Sequence, residues 1–244
     1  MWNQQNSRPL VIGHRGAAGH RPENTLSSIE YALSLGVDAV EVDIHFADGR
    51  LVVIHDETLE RTTNGRGPVA ERRIDELRSL DAGGGAQIPL LEEVLDLVRG
   101  RAGLVIELKA RAAAKLLSAV ITREIVEKRW ERDRLLVISF DQPALVQLKT
   151  SLPWLQIAPL VYGVPHDLTS CATHIGACAY NGHFKSMSEE LLNDARMRAL
   201  RVIVYTPNQI EDLEKMIALG VDGLTTDFPD RALACLQTAA PINY

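Results

Sequence analysis

The sequence predicts an α/β protein, a single-domain (β/α)8 TIM barrel with a hairpin insertion after the second strand. Three observations lead there. Short apolar runs bounded by turn residues alternate with segments of helical spacing along most of the chain. Once one hairpin strand is set aside, the alternation gives about eight strand–helix units, the number such a barrel needs. No composition shift or linker divides the 244 residues, so 1–244 is read as one domain with an insertion over approximately 48–87. A doubly wound open sheet gives the same alternation and is the alternative architecture.

The first strand is Leu10–Gly13, followed by His14-Arg15-Gly16 and a Gly- and Pro-containing loop. A helix is expected from Asn24, whose side chain can cap it, with Leu26, Ile29, Ala32 and Leu33 at helical spacing. The second strand starts at Ala39. Its continuation and a second apolar run are joined only by Asp48-Gly49, a strong signal for a tight hairpin turn, so the return strand brings His55 alongside Asp43. A polar stretch from Thr58 to Gly67, a helical segment Arg72–Leu80, a Gly83-Gly84-Gly85 loop and a helix Leu90–Val98 follow. This excursion is expected at the surface, where a lid or a filter of substrate size would lie.

From there the rhythm is regular. Strands are predicted at Leu104–Leu108, Leu135–Ser139, Gln156–Val161, Ala177–Tyr180, Arg201–Tyr205 and Gly223–Thr226. Helices are predicted at Ala112–Glu127, Pro143–Lys149, Glu189–Ala199, Ile210–Leu219 and Asp230–Leu236, with a poorly defined segment around His166–Ala172.

Composition narrows the function classes. With 46% hydrophobic residues, 24% charged residues and a formal charge of −6, the chain is long enough for one large core or two small ones, and the lack of a basic block argues against nucleic acid as the main partner. Met1 to Arg8 lack the basic-then-apolar order of a signal peptide, and no apolar run approaches the ~20 residues of a membrane span. A cytoplasmic protein without stable membrane association is the expectation. Cys171, Cys178 and Cys235 are odd in number and lack zinc-site spacing, which suits reduced, mostly buried thiols.

Barrel enzymes carry their chemistry at the carboxyl ends of the strands. The polar residues there are His14 and Arg15, Glu41 and Asp43, His55 on the hairpin, and Glu107 and Lys109. Strand parity places Glu41, Asp43 and His45 on one face, and Glu107 with Lys109 on one face. Burying carboxylates is costly unless they are paired or metal-bound. Glu41, Asp43 and Glu107 form an oxygen-rich set suited to a hard divalent cation, Mg²⁺ or Ca²⁺, although Glu107 and Lys109 alone could be a simple salt bridge. With Arg15 and Lys109 as fixed cations and His14 and His55 as proton carriers, the set describes a pocket for a phosphate ester. His45 is a possible supporting residue, and Asp56 and Asn24 could only cap or orient backbone. The other histidines, His20, His166, His174 and His183, are read as solvated or structural.

The same residues resemble the glycerophosphodiester phosphodiesterase family, small bacterial cytosolic type. The matching pieces run in order along nearly the whole chain: His14-Arg15-Gly16, Pro22-Glu23-Asn24-Thr25, Glu41-Val42-Asp43, Asp48-Gly49, His55-Asp56, Arg61-Thr62-Thr63-Asn64-Gly65, Ile88-Pro89, Leu91-Glu92-Glu93, Glu107-Leu108-Lys109, Ser139-Phe140, Gly220-Val221-Asp222-Gly223, and Thr226-Asp227 with Pro229. The resemblance implies a TIM barrel with one divalent cation on Glu41, Asp43 and Glu107, acid–base work by His14 and His55, and phosphate contacts from Arg15 and Lys109. It implies hydrolysis of small-molecule diesters such as glycerophosphocholine and glycerophosphoethanolamine to glycerol 3-phosphate and an alcohol. Two departures stand out. Leu90 replaces a capping Thr, and Tyr205-Thr206-Pro207-Asn208 replaces Trp-Thr-Val-Asn, so Phe140 and Tyr205 become candidate pocket walls that tune head-group preference. A non-catalytic barrel for phosphorylated ligands, a phospholipase D-like or other phosphodiesterase, and a metal-dependent sugar isomerase are the competing readings.

Overall fold

The computed structural model describes residues 1–2 and 7–238; residues 3–6, part of the stretch read above as lacking a signal peptide, lie outside the described residues. The strands are β1 (Leu10–Gly13), β2 (Ala39–Ala47), β3 (Arg50–Val53), β4 (Gly103–Leu108), β5 (Leu135–Ser139), β6 (Gln156–Val161), β7 (Ala179–His183), β8 (Arg201–Tyr205) and β9 (Gly223–Thr226). The helices are α1 (Leu26–Ser34), α2 (Ile74–Ser79), α3 (Leu91–Val98), α4 (Ala114–Glu127), α5 (Gln142–Ser151), α6 (Ser170–His174), α7 (Glu189–Met197), α8 (Ile210–Leu219) and α9 (Pro229–Thr238).

Eight strands run parallel in the order β1-β9-β8-β7-β6-β5-β4-β2, and pairing of β1 with β2 closes the ring. The open sheet is thereby excluded. β3 is antiparallel to β2 and stands outside the ring as a rim hairpin. Its turn has φ of 44° at Asp48 and 74° at Gly49, the left-handed pair that a two-residue hairpin needs.

Two apolar layers follow from strand parity. Outward residues such as Val40, Val42, Ile44, Leu104, Ile106 and Val137 pack under the helices. Inward residues, among them Ile12, Ala39, Val105, Ile138, Leu160, Ala179 and Ile203, fill the barrel interior, with the buried Trp2 in the same cluster. The insertion has a third, smaller core: Leu59, Val69, Leu77, Ala82 and Ile88 pack on Ala47, Val52 and Ile54 of the hairpin.

Several boundaries differ from the sequence reading for identifiable reasons. Thr25, not Asn24, caps α1 by accepting the Ser28 N–H at 3.2 Å. Asn24 is unavailable because its amide is spent on Asp43 and its φ is 58°. The helical segment expected at Arg72–Leu80 is α2, Ile74–Ser79. The strand expected at Ala177–Tyr180 lies two residues later, as β7, and the segment around His166–Ala172 yields only the short α6. At Leu90 the missing hydroxyl is offset from the other direction: Glu93 Oε2 accepts the Leu90 N–H at 2.8 Å, half of a capping box, so α3 starts at Leu91.

Candidate active site

Inward rows turn from aliphatic to polar or aromatic as they near the carboxyl ends of their strands. Ile12 is followed two residues on by His14, Ala39 by Glu41 and Asp43, Val105 by Glu107 and Lys109, and Ile138 by Phe140. The same count leads from Ala179 to Asn181, from Ile203 to Tyr205, and from Gly223 to Thr225 and Asp227. A cavity of about 240 Å³ at this level is lined by His14, Arg15, Glu41, His55, Glu107, Lys109, Phe140, Asn181 and Tyr205, among others. A second of about 370 Å³, lined in part by His45, His55, Asp56, Lys109 and Phe140, adjoins it toward the insertion through shared residues.

Glu41, Asp43 and Glu107 each present a carboxylate oxygen within 4.8 Å of the others, and all three residues are buried. Burial pushes the Glu41 carboxyl well above its ordinary range, and the charges of Asp43 and Glu107 add to this. Burial first, and then the charge of Asp43, bring Glu107 up to about 7 against the opposing Lys109. Burial also acts against an ionised Asp43, but Lys109 and Arg15 outweigh it and hold that carboxyl well below its usual value. Lys109 Nζ lies 2.6 Å from Glu107 Oε1 and 3.0 Å from Asp43 Oδ1. Asn24 donates to Asp43 Oδ2 at 2.8 Å, and the Arg15 N–H donates to Glu41 Oε2 at 2.9 Å.

These residues fit a divalent cation. Glu41 Oε1 is buried with no hydrogen-bond partner among the described residues, a cost that a bound cation removes. Three hard oxygen donors without a thiol match Mg²⁺ or Ca²⁺ better than zinc.

Both histidines sit on carboxylates. His14 Nδ1 is 2.6 Å from Asp227 Oδ1, and Asp227 is itself held by the Asn208 amide at 2.6 Å. His55 Nδ1 is 2.5 Å from Asp56 Oδ1. Burial opposes ionisation of Asp227, yet His14 and Asn208 hold its carboxyl below the usual range; Arg61 and then His55 do the same for Asp56. An ionised carboxylate only accepts, so Nδ1 carries the hydrogen in each pair and Nε2 is left for the cavity. Partial burial lowers the His55 imidazole below its ordinary value, aided by Lys109 and Arg15 and opposed by Asp43 and Asp56. His45 supports the same residue from below, with Nε2 3.0 Å from the His55 carbonyl oxygen.

A charge ladder ties the insertion to the barrel. Arg61 makes paired contacts to Asp56 at 2.6 and 2.9 Å and to both oxygens of Glu23 at 2.8 Å. Glu23 in turn accepts from Arg15 Nη1 at 2.7 Å, and Arg15 Nε lies 3.3 Å from Asp43 Oδ2. The loop that carries Arg15 is wound tightly: φ is 50° at Arg15 and 86° at Gly16, where a Cβ would come within 2.7 Å of Ser28 and Ile29 backbone atoms.

Of the nine residues singled out from the sequence, His14, His55, Arg15, Lys109, Glu41, Glu107, Phe140 and Tyr205 line this one cavity, and Asp43 lies buried behind it, paired with Lys109 and Arg15. Sequence reasoning gave no role to Glu23, Arg61, Asn181, Asn208 and Asp227. Counting in twos from the apolar layer would have found Asn181 and Asp227; nothing periodic marks Arg61.

A closed parallel barrel with paired cations, paired histidines and a carboxylate cluster at its carboxyl end defines, as a class, a phosphoric ester hydrolase. The model of the glycerophosphoryl diester phosphodiesterase family matches residues 14–231, and the chain belongs to that family. A glycerophosphodiester phosphodiesterase of Bacillus altitudinis is 35% identical over 91% of this chain and 96% of its own, and one of Caldanaerobacter subterraneus is 32% identical over 91% and 96%. Among solved structures, an Oleispira antarctica phosphodiesterase in complex with the product sn-glycerol-3-phosphate superposes with a TM-score of 0.87, at 29% identity over 95% of this chain and 98% of that one. The chain is an enzyme, a phosphodiesterase acting on glycerophosphodiesters.

Proposed function

We propose that the enzyme hydrolyses deacylated phospholipid diesters, such as glycerophosphocholine and glycerophosphoethanolamine, to glycerol 3-phosphate and the free alcohol, with His14 and His55 as the acid–base pair. The observation that carries this reading is the pair of histidines, each fixed through Nδ1 to a carboxylate, on one cavity that also holds Arg15, Lys109 and the acidic triad. The product bound by the Oleispira relative supports the glycerol end of the substrate.

In this mechanism Glu41, Asp43 and Glu107 would hold a divalent cation. When bound, such an ion supplies positive charge to a phosphoryl oxygen and lowers the pKa of an attacking hydroxyl. Arg15 and Lys109 hold the non-bridging oxygens and orient the phosphorus. One histidine takes the proton of the attacking hydroxyl, the substrate's own 2-hydroxyl or a water, through Nε2. The other gives a proton to the alcohol oxygen as its bond to phosphorus breaks, so the leaving group departs neutral. Where the 2-hydroxyl attacks, the product of this step is the cyclic phosphate, and a water then opens its P–O bond to the 2-oxygen, the histidines exchanging roles, to give glycerol 3-phosphate. Asp56 and Asp227 keep both rings in the tautomer this requires.

The test is release of glycerol 3-phosphate from a panel of glycerophosphodiesters, with and without chelator. His14→Ala and His55→Ala are each expected to lower kcat by about 10²–10⁴-fold. Near wild-type turnover by either variant would overturn the assignment, and no release with any divalent ion would overturn the function. The cysteine usage in the sequence supports a cytoplasmic setting, which fractionation of the native cell checks.

A further inference from the structure

Asn181 lines the cavity with no task in the chemistry above, and its amide oxygen has no partner among the described residues. It lies on β7, four strands from β2 in either direction around the ring, so it faces Glu41 and Asp43 from the opposite wall. The residue is 1% exposed, and its amide oxygen is sealed without a hydrogen-bond partner among the described residues. Leaving an amide so placed costs stability, and the cost is recovered only if something arrives to pair with it.

Its surroundings select the ligand. Ile138, Leu160 and Thr225 line the same cavity and offer Asn181 no charge. The rim of the cavity leads out past Phe140 and Tyr205 and, through His183, to Tyr162; Phe140 and Tyr162 are 54% and 78% exposed. The variable alcohol of the substrate fits this open aromatic side. The deep end takes the part that every substrate of the class shares, and that part carries hydroxyls. A hydroxyl both donates and accepts, so it pairs with either end of the amide.

We propose that Asn181 is the glycerol-recognition residue: its side-chain amide, across the barrel from the acidic triad, hydrogen-bonds a hydroxyl of the glyceryl moiety and selects glycerophosphodiesters over diesters that lack it. This rests on the reading of the pocket as a glycerophosphodiester site. Selectivity of this kind is strong because an analogue without the hydroxyl leaves the buried amide unpaired.

The test compares calorimetric binding of glycerol 3-phosphate and n-propyl phosphate, which share a phosphate and a three-carbon chain, to the divalent-loaded protein. The wild type should bind glycerol 3-phosphate about tenfold or more tightly than propyl phosphate. In Asn181→Ala and in the apolar near-isostere Asn181→Leu that preference should shrink to about twofold, through loss of glycerol 3-phosphate affinity alone. Equal affinity of the wild type for the two phosphates overturns the proposal even if neither variant folds. So does an equal loss for both ligands in either variant, which would mark Asn181 as a packing residue. Because binding is read directly, an enzyme that hydrolyses no diester but keeps the preference would sink the catalytic reading and leave this one standing.

Discussion

Asp56 decides the state of His55 from two sides: its carboxylate orients the ring through Nδ1, and its charge favours the imidazolium. Asp56→Asn removes the second effect and weakens the first. The His55 imidazole already titrates below its ordinary value, so the variant's His55 limb in a kcat/KM profile moves further to acid. Maximal kcat falls by roughly 10–10²-fold as the ring loses its tautomeric lock. The side on which the moved limb lies assigns the role: a shifted acid limb makes His55 the base, a shifted alkaline limb the acid. An unmoved profile would remove Asp56 from the site. Glu41 shows the converse economy. It is kept in a cluster that repels it, so Glu41→Gln should leave the metal-free protein at least as heat-stable as wild type while abolishing activity.

At the scale of elements, the hairpin and the insertion act as a bracket for His55. Gly49 has φ of 74° and open space around the missing Cβ, so Gly49→Ala meets backbone strain and nothing else. A cost of about 1–2 kcal/mol follows, read as a fall in Tm of roughly 2–8 °C, with kcat/KM within about twofold because Ala47↔Arg50 and Ile44↔Val53 still hold the register. Arg61 behaves oppositely. Its side chain is 47% exposed, so Arg61→Ala should move Tm little, yet it frees both Asp56 and Glu23 and should lower kcat by about tenfold. Lys at 61 has no planar fork to serve two carboxylates and should restore little.

The strands that could be read from sequence were those whose inward and outward residues differ. On β2 and β4 the acids interrupt branched apolar residues, and parity alone placed Glu41, Asp43, Glu107 and Lys109 on the inner face. β7 (Ala-Tyr-Asn-Gly-His) and β9 (Gly-Leu-Thr-Thr) carry small or polar residues on both faces and barely alternate, and there Asn181 and Asp227 went unassigned. Tertiary pairing also escaped. Asn24 and Thr25 are both good caps by residue type, and the bond from Asn24 to Asp43 with its φ of 58° decides between them. Arg61 reaches Glu23 across 38 positions in a segment without periodicity.

For the whole molecule, the proposed role of the acidic triad would make ion binding and folding one equilibrium. A divalent ion at 100 times its Kd adds about 2.7 kcal/mol to stability, so Tm should rise with added Mg²⁺ or Ca²⁺ and return with chelator. Glu41→Gln should abolish most of that rise, and a wild-type Tm indifferent to divalent ions would exclude the site. The small core of the insertion has a different consequence, for recombination. Leu59, Val69, Leu77 and Ile88 are sealed against Ala47, Val52 and Ile54, so the cap and its hairpin form one exchangeable cassette. A chimaera spliced within β3 would expose two half-cores; one spliced before Ile44 and after Ile88 carries the packing, the hairpin register and His45 with His55 together into another barrel.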